Sequence, residues 1–320
     1  MTTSHDSPVH SRTAVAIAGG VAVLCGMLVA LQSRINAQFA NELGDAVLAA
    51  LISFGFGLII LSVILVFARR SRDGLGTLRV AVRARRTPWW YLTGGAFGAL
   101  FVVSQGLSAA IIGVALFTIA AVAGQTVSGT IIDRRGLGTM APKPVTVVRV
   151  FAAALAVGAV ILAGSAELSA DVPLPLLVLP LLAGLGVGWQ QAANGQVRSS
   201  SGSVLTAMFV NFIVGGAVLL VVTLLHLAVT GWSIAELPDN PLLYTGGVIG
   251  VVFIGGATVM VRITGVLLLG LATTAGQLIG ATLLDILVPV EGHVISVTTV
   301  IGIALTLIAV SIAALPRRRA

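Results

Sequence analysis

Continuous runs of apolar residues, each about as long as a membrane span, follow one another along almost the whole chain. A helix that crosses about 30 Å of hydrocarbon needs roughly 20 residues, and these runs are too long and too continuous for barrel strands. The pattern therefore predicts an all-α membrane protein with ten transmembrane helices. We expect these helices near 13–33, 46–68, 89–111, 114–132, 146–164, 174–192, 204–228, 242–261, 264–286 and 294–315.

Polar residues and glycines recur within these runs, which indicates an internal repeat. A shift of 158 residues pairs Gln32/Gln190, Asn36/Asn194, Gln38/Gln196, Gly44/Gly202, Phe54/Phe212 and Gly57/Gly215. A shift of 152 residues pairs Thr93–Gly98 with Thr245–Gly250, Gly113 with Gly265, Gly124-Gln125 with Gly276-Gln277, and Asp133 with Asp285. We therefore expect two copies of one five-helix unit, at 13–166 and 172–315. A disordered cytoplasmic N-terminus (1–12) and a basic cytoplasmic tail (316–320) would flank them.

The composition excludes an ordinary soluble protein. Hydrophobic residues make up 57% of the 320 residues and charged residues only 9%, whereas soluble domains carry about 25% charged residues. The mean hydropathy is +1.08. The chain has one cysteine, which excludes a disulfide framework and a cysteine-based metal cluster.

The basic residues follow the positive-inside rule. If the N-terminus is cytoplasmic, 17 of the 18 Lys and Arg residues fall on the cytoplasmic side, and only Arg34 falls outside. Eight of the eleven acidic residues fall on the outer side. We therefore expect both termini in the cytoplasm. The net charge of +7 is explained by this topology, and no nucleic-acid partner is expected.

Five helices per unit is an odd number, so the two copies must enter the membrane in opposite orientations. The connector after the second predicted helix carries seven arginines, whereas its counterpart after the seventh carries Glu236 and Asp239. Inverted repeats are a recurring plan of secondary transporters, which bind substrate near the membrane midplane where the repeats meet.

Side-chain amides near the ends of the first and sixth predicted helices are candidates for substrate binding. Gln32 and Asn36 are four residues apart and share one helix face, as do Gln190 and Asn194. Two interpretations are open. The amides could cap the helix ends and fix a turn at the membrane surface, or they could contact a substrate near the two entrances.

Further polar residues are predicted within the spans. Gln125 and Gln277 lie near the middle of their helices and each follows a glycine, so they could line a central substrate site or form interhelical hydrogen bonds. Asp133 and Asp285 are candidates for ion or proton coupling, and the alternative is that they are charges at the membrane interface. The remaining candidates for substrate binding are Asn211, Gln105 and Trp189.

Two segments of the form Q-x-x-x-N-x-Q, at 32–38 and 190–196, are each followed by Gly-x-x-x-x-Ala and Phe-x-x-Gly. They resemble the YdcZ-type bacterial inner-membrane family of the drug/metabolite transporter superfamily, in its fused two-repeat form, over about residues 14–315. The resemblance implies a ten-helix protein of the bacterial plasma (inner) membrane with a transport role. The related small multidrug-resistance proteins use a glutamate in helix one, and this chain has no carboxylate there or at the repeat position.

We therefore expect a secondary transporter that exports a small organic solute by alternating access between inverted repeats. The alternative is a non-transporting membrane protein that acts in binding, sensing or scaffolding. The sequence contains no His-Glu-x-x-His, Gly-x-Ser-x-Gly or Walker motif, so we expect no enzyme activity, no cofactor and no metal. The expected partners are the solute and the lipid bilayer, and a homodimer is left open.

Overall fold

The computed structural model describes residues 12–137, 147–168, 173–230, 236–288 and 296–314, and all regular structure in these ranges is helical. This confirms the predicted all-α class. The helices are α1 (Arg12–Leu43), α2 (Ala46–Phe67), α3 (Arg69–Arg83), α4 (Gly94–Ser104), α5 (Ala110–Arg135), α6 (Val147–Leu168), α7 (Leu174–Ser201), α8 (Val204–Thr230), α9 (Gly246–Leu287) and α10 (Val297–Ala314). Short 3-10 turns (Trp89–Thr93 and Pro241–Thr245) precede α4 and α9, and a π-helical turn (Gln105–Ala109) joins α4 to α5.

Five helical segments of the described chain are long and apolar enough to cross a membrane. They are Ile17–Leu43, Ala46–Phe67, Trp89–Ile132, Leu174–Ser201 and Val204–Val229. Shorter apolar helices lie at Ala153–Ala163, Pro241–Phe253, Ala272–Leu287 and Val297–Ala309. The segment Trp89–Ile132 covers two predicted spans, and Gly113 breaks the helix between them with φ 78° and ψ 162°, a conformation that is essentially restricted to glycine.

The predicted ends of the first and sixth helices, at residues 33 and 192, are wrong. The α1 helix continues to Leu43 and α7 continues to Ser201. Both helices end at a glycine in the left-handed conformation, Gly44 with φ 70° and Gly202 with φ 68°, which is a common way to terminate a helix. The polar amides lower the local hydropathy but do not interrupt the helices, because they lie inside the bundle.

The arginine-rich connector after the second span contains the helix α3, which the sequence analysis did not predict. One face of α3 is buried through Ser71, Gly74 and Leu78, at the spacing of a single helix face. This face packs on the turn between α7 and α8, where the hydroxyl of Thr206 donates to the carbonyl of Ser71 at 2.8 Å. The helix is therefore attached to the bundle.

Two helix crossings between the halves of the chain rest on glycine pairs. A Cβ atom at Gly26 would overlap backbone atoms of α9, and one at Gly276 would overlap those of α1. In the same way, Gly124 of α5 and Gly184 of α7 meet with no room for side chains. These are equivalent contacts, because Gly26 and Gly184 are 158 residues apart and Gly124 and Gly276 are 152 apart.

A second set of crossings shows the same reciprocity. A Cβ atom at Gly95 would overlap the carbonyl oxygen of Asn211 on α8, and one at Gly247 would overlap the carbonyl oxygen of Ser53 on α2. Gly95 and Gly247 are related by the shift of 152, and Ser53 and Asn211 by the shift of 158. The two halves are therefore interleaved, with helices of each half packed on helices of the other.

Equivalent phenylalanines meet where α2 packs on α8. The ring centroids of Phe54 and Phe212 lie 5.0 Å apart, and both side chains are buried in one apolar cluster. Each ring fills the space above a glycine of the other helix, Phe212 at Gly57 and Phe54 at Gly215. Aromatic pairs at this distance contribute about 0.5–1.5 kcal/mol beyond the burial of their surface.

Candidate functional site

Four buried polar side chains form a hydrogen-bonded set that we call the α1 amide network: Ser33, Asn36, Ser53 and Gln105. The Asn36 Nδ2 atom donates to Gln105 Oε1 at 2.7 Å, and Gln105 Nε2 donates to Ser33 Oγ at 2.8 Å. The hydroxyl of Ser53 donates to Asn36 Oδ1 at 3.3 Å. The network therefore ties α1 to α2 and to the start of the π-helical turn.

The local backbone explains how Gln105 reaches α1. Gln105 is the first residue of the π-helical turn Gln105–Ala109, and its side chain is 0% exposed. Single π turns inside α-helices are frequent at functional sites. A buried amide leaves costly unpaired groups unless it is bonded, and here both ends of the Gln105 amide have partners.

Gln32 lies one turn before Asn36 and reaches into the other half of the chain. Its Nε2 atom donates to the carbonyl oxygen of Gly246 at 2.8 Å. A side chain at Gly246 would collide with Asn36 Oδ1, so only glycine lets the start of α9 approach α1 this closely. Gln32 and Asn36 thus contact the same turn of α9.

A second set of polar side chains, which we call the α7 cluster, consists of Gln190, Asn194 and Asn211. Gln190 Nε2 donates to Asn211 Oδ1 at 3.0 Å. Gly94 packs beside Asn194 Oδ1, and Gly98 packs on the amide of Gln190. The α7 cluster is partly buried, and it links α7 to α8 near the first turns of α4.

Trp189 lies beside this cluster and contacts aromatic and polar groups of the 3-10 turn before α4. Its ring stacks on Tyr91 with centroids 5.6 Å apart and an angle of 14° between the planes. Its Nε1 atom donates to the hydroxyl of Thr93 at 3.2 Å. The Trp189 ring that was predicted to be available for a ligand is therefore engaged with Tyr91.

The two polar sets occupy equivalent positions, because the shift of 158 relates Gln32, Asn36 and Ser53 to Gln190, Asn194 and Asn211. Their bonding differs. Asn36 is bonded to both Gln105 and Ser53, whereas no side-chain hydrogen bond of Asn194 is found among the described residues. The sequence gives one reason for this difference, because the position equivalent to Gln105 is Ala257, which has no amide to offer.

Gln125 and Gln277 are placed at the glycine crossings of the two halves. Both are half-buried, and each directly follows a glycine that contacts the opposite helix: Gly124 contacts α7 and Gly276 contacts α1. Within the described part of the chain, neither side-chain amide has a hydrogen-bond partner. Their role in a central site stays a prediction, but the interhelical hydrogen bonds considered as the alternative are not formed here.

The interpretation of the α1 and α7 amides as helix caps is wrong. Asn36 lies inside α1 and is 3% exposed, and α7 extends beyond Asn194 to Ser201. The actual cap between α1 and α2 is Asp45, which accepts hydrogen bonds from the backbone N–H groups of Val47 and Leu48. The amides therefore lie between helices within the bundle.

Asp285 is buried between helices of the bundle, and its role in ion coupling stays a prediction. It is 5% exposed, and its carboxylate accepts hydrogen bonds from the backbone N–H groups of Val114 at 3.0 Å and Ala115 at 2.7 Å. These N–H groups are available because Gly113 breaks the helix just before them.

The side chain of Asp133 lies outside the described residues. No group of three or more His, Cys, Asp or Glu side chains in the described ranges could hold a metal ion.

The pairing of the amides could not be foreseen from the positions of these residues along the predicted helices. Gln105 and Asn36 are 69 residues apart, and the hydroxyl partners Ser33 and Ser53 are common in spans and carry little signal alone. One usable signal was present. Ser53 is the repeat equivalent of Asn211, so a polar side chain stands at the same place in both copies.

A family model described as "Putative inner membrane exporter, YdcZ" matches residues 17–162 and 175–312. The chain belongs to the YdcZ family. The two matched stretches correspond to the two predicted repeats, which confirms the resemblance drawn from the Q-x-x-x-N-x-Q segments. The inner-membrane description of the YdcZ family agrees with the helices that are long and apolar enough to cross a membrane.

No curated protein matches the chain. One solved structure, titled "Crystal structure of protein", is similar with a TM-score of 0.45 and 17% sequence identity, over 95% of this chain and 97% of the other.

Proposed function

We propose that this member of the YdcZ family is a secondary transporter that exports a small organic solute across the inner membrane. In this proposal ten helices cross the bilayer as two inverted repeats, 13–166 and 172–315, with both termini in the cytoplasm. Transport occurs by alternating access, in which the repeats exchange their conformations and so open the site first to one side and then to the other.

The reciprocal packing of the two halves is the observation that carries this proposal. Gly95 contacts the backbone of α8 at Asn211, and Gly247 contacts the backbone of α2 at Ser53. Equivalent contacts of this kind let each repeat adopt the arrangement of the other without new clashes, because the same small residues are present in both.

The different bonding of the two amide sets supports two entrances that are closed to different degrees. Asn36 is buried and bonded to Gln105, while Asn194 is partly exposed and its amide makes no bond within the described chain. We assign the α1 amide network to the closed entrance and the α7 cluster to the more open one. Gln125 and Gln277, whose amides are unbonded within the described ranges, would contact the solute in the centre.

The orientation of the repeats can be tested at two equivalent exposed positions, Asn41 and Ser199, which are 158 residues apart. We would replace Cys25 by serine and introduce Asn41→Cys or Ser199→Cys. A membrane-impermeant maleimide should label Ser199→Cys from the cytoplasmic side and Asn41→Cys from the opposite side. Labelling of both positions from the same side would exclude inverted repeats.

Transport itself can be tested in proteoliposomes with three radiolabelled probes: tetraphenylphosphonium as an organic cation, benzoate as an organic anion and sucrose as a neutral solute. We expect protein-dependent flux of one probe class, which Gln125→Ala and Gln277→Ala should abolish. Thr126→Val and Thr282→Val are matched controls, since each hydroxyl donates to a carbonyl of its own helix. Binding of a probe without flux would favour the alternative of a non-transporting binding or sensor protein.

A further inference from the structure

Residues 68–88 connect the second and third candidate spans. The candidate span Ala46–Phe67 ends at Phe67 and the candidate span Trp89–Ile132 begins at Trp89, so this segment lies at the same end of both spans. Phe67 is 84% exposed and Trp89 is 67% exposed. Exposed aromatic residues at both ends are typical of a segment at the lipid–water interface.

This segment is strongly basic. It carries a single acidic residue, Asp73, and seven arginines whose side chains are all exposed. The arginines are Arg69, Arg70, Arg72, Arg79, Arg83, Arg85 and Arg86. A surface of this charge attracts anionic lipids by about 1 kcal/mol per basic residue near the bilayer. Charge alone, however, describes a diffuse attraction and no particular site.

A defined site is provided by a cavity of about 520 Å³ between α3, the turn that follows it and the end of α7. We call it the α3 cavity. It is lined by Thr77, Val80, Ala81, Arg86, Thr87 and Ser200. Its volume is in the range that holds an organic ligand and is much larger than an inorganic ion requires. The guanidinium group of Arg86 and one hydroxyl hydrogen of the Thr87–Ser200 pair are the donors it offers to a phosphate ester, because the Thr77 hydroxyl donates to the carbonyl of Asp73.

The polar groups of the α3 cavity are held in place by local structure. The Thr87 and Ser200 hydroxyl oxygens lie 2.6 Å apart and so join the turn after α3 to α7. The backbone N–H of Arg86 donates to the carbonyl of Ala81 at 2.9 Å, and that of Arg85 donates to Val82 at 3.0 Å. These two bonds form a Schellman turn. Arg85 adopts the left-handed conformation, with φ 56°, that such a turn requires.

Arg86 is the charged group of this site. Its side chain is exposed, and it makes no ion pair or hydrogen bond within the described ranges. An arginine binds phosphate through two parallel N–H donors, which gives both strength and orientation. Val80 supplies an apolar surface beside it and is 64% exposed. An inorganic phosphate ion makes no apolar contact with that surface, whereas the glycerol and acyl portions of a lipid can pack on it.

We propose that the α3 cavity binds the headgroup of an anionic phospholipid from the surrounding leaflet. Arg86 pairs with the lipid phosphate, the Ser200 hydroxyl accepts from buried Thr87 and donates its own hydrogen to a phosphate oxygen, and Val80 contacts the start of the acyl chains. The bound lipid thereby joins α3 to α7, the helix that carries Gln190 and Asn194. This inference does not depend on the transported solute.

The test is native mass spectrometry of the detergent-purified full chain with dioctanoyl phosphatidylglycerol. We expect a saturable one-lipid complex and an affinity at least tenfold lower, about 1.4 kcal/mol, for Arg86→Gln. Arg79→Gln is the matched control, because Arg79 is an exposed arginine of α3 that does not line the cavity. It should weaken binding clearly less than Arg86→Gln does, by at most about fivefold, since a diffuse surface charge contributes about 1 kcal/mol.

Three results would overturn the proposal. Equal losses in the Arg79→Gln and Arg86→Gln variants would show a diffuse basic surface. Equal binding of dioctanoyl phosphatidylcholine would show that the anionic charge is not recognised. Displacement of the lipid by an equal concentration of inorganic phosphate would identify free phosphate as the ligand. Ser200→Ala, which leaves every charge in place, should weaken lipid binding severalfold, and thermal unfolding without lipid would verify that each variant is folded.

Discussion

Two aspartates of this protein make similar hydrogen bonds in different surroundings, which allows the effect of burial to be measured. Asp285 accepts from the backbone N–H groups of Val114 and Ala115, both of which are 0% exposed. Asp45 accepts from the N–H groups of the first turn of α2, at 2.8 and 3.0 Å, with a side chain that is 18% exposed. Both carboxylates thus cap the start of a helical segment.

The expected energies follow from what each N–H group does when its acceptor is removed. In Asp285→Ala two buried N–H groups lose their partner, and each costs about 1–3 kcal/mol, so we expect a loss of about 2–6 kcal/mol. In Asp45→Ala water can replace the carboxylate, and the loss of a cap of this kind costs about 1 kcal/mol. Asp285→Asn keeps an acceptor oxygen and should lie between the two.

The assay is equilibrium unfolding in mixed micelles by increasing fractions of dodecyl sulfate, followed by tryptophan fluorescence. The Asp285→Ala loss in the free energy of unfolding should exceed the Asp45→Ala loss by at least about 1 kcal/mol. Equal losses would refute the reasoning, because they would mean that the N–H groups of Val114 and Ala115 find water or other partners as easily as those at the surface. His226 lies 3.6 Å from Asp45, so all the variants are compared at one fixed pH.

Three further predictions concern packing, backbone strain and the α1 amide network. Gly95→Ala should destabilise the protein by about 1–3 kcal/mol, because its Cβ would meet a backbone carbonyl that cannot give way; Gly19→Ala, where nothing lies within 4 Å, should be neutral or slightly stabilising. Arg85→Gly should stabilise by about 0.5–1 kcal/mol, because glycine adopts φ 56° without strain, and Arg85→Ala should not. Gln105→Leu should cost about 1–3 kcal/mol by leaving the buried Asn36 amide without its acceptor. All three are measured by the same unfolding assay.

Each of these predictions has an outcome that contradicts it. A neutral Gly95→Ala would mean that α4 and α8 are not in backbone contact, and equal effects of alanine and glycine at Arg85 would mean that the turn is unstrained. For the network, the double variant Gln105→Leu with Asn36→Leu should cost less than the sum of the two single changes, because removing both partners leaves fewer unpaired groups. Strict additivity would show that the two side chains do not interact.

The all-α class and most of the apolar segments could be predicted from the sequence, but helix α3, the continuity of α9 and several helix ends could not. Hydropathy locates the apolar centres of α1 and α7. It does not locate their C-terminal ends, because the polar side chains from Gln32 and Gln190 onward lower the mean hydropathy without ending the helix. The reliable end signals were the glycines at 44 and 202, each followed by a capping residue, Asp45 or Ser203. Reading these residues as a terminator and a cap would have placed both ends correctly.

The candidate site was predicted in its residue types and mostly missed in its contacts. The repeat identified Gln32, Asn36 and their equivalents as a matched set, and the structure places them inside the bundle. The partner Gln105 could not be inferred, because the π-helical turn at its position has no sequence signature and its repeat equivalent is an alanine. The partners of Asp285 could not be inferred either, because they are backbone N–H groups that become available only through the break at Gly113.

The interleaving of the two halves also determines when, during synthesis of the chain, the contacts between them can form. Gln32 finds its acceptor at Gly246, 214 residues later in the chain, and a ribosome that adds about 5–20 residues per second needs about 10–40 seconds to make that stretch. During this interval α1 is in the membrane with its amides and the Gly26 surface uncovered by α9. The first half of the newborn chain must therefore be sheltered, by lipid or by the insertion machinery, until the second half arrives.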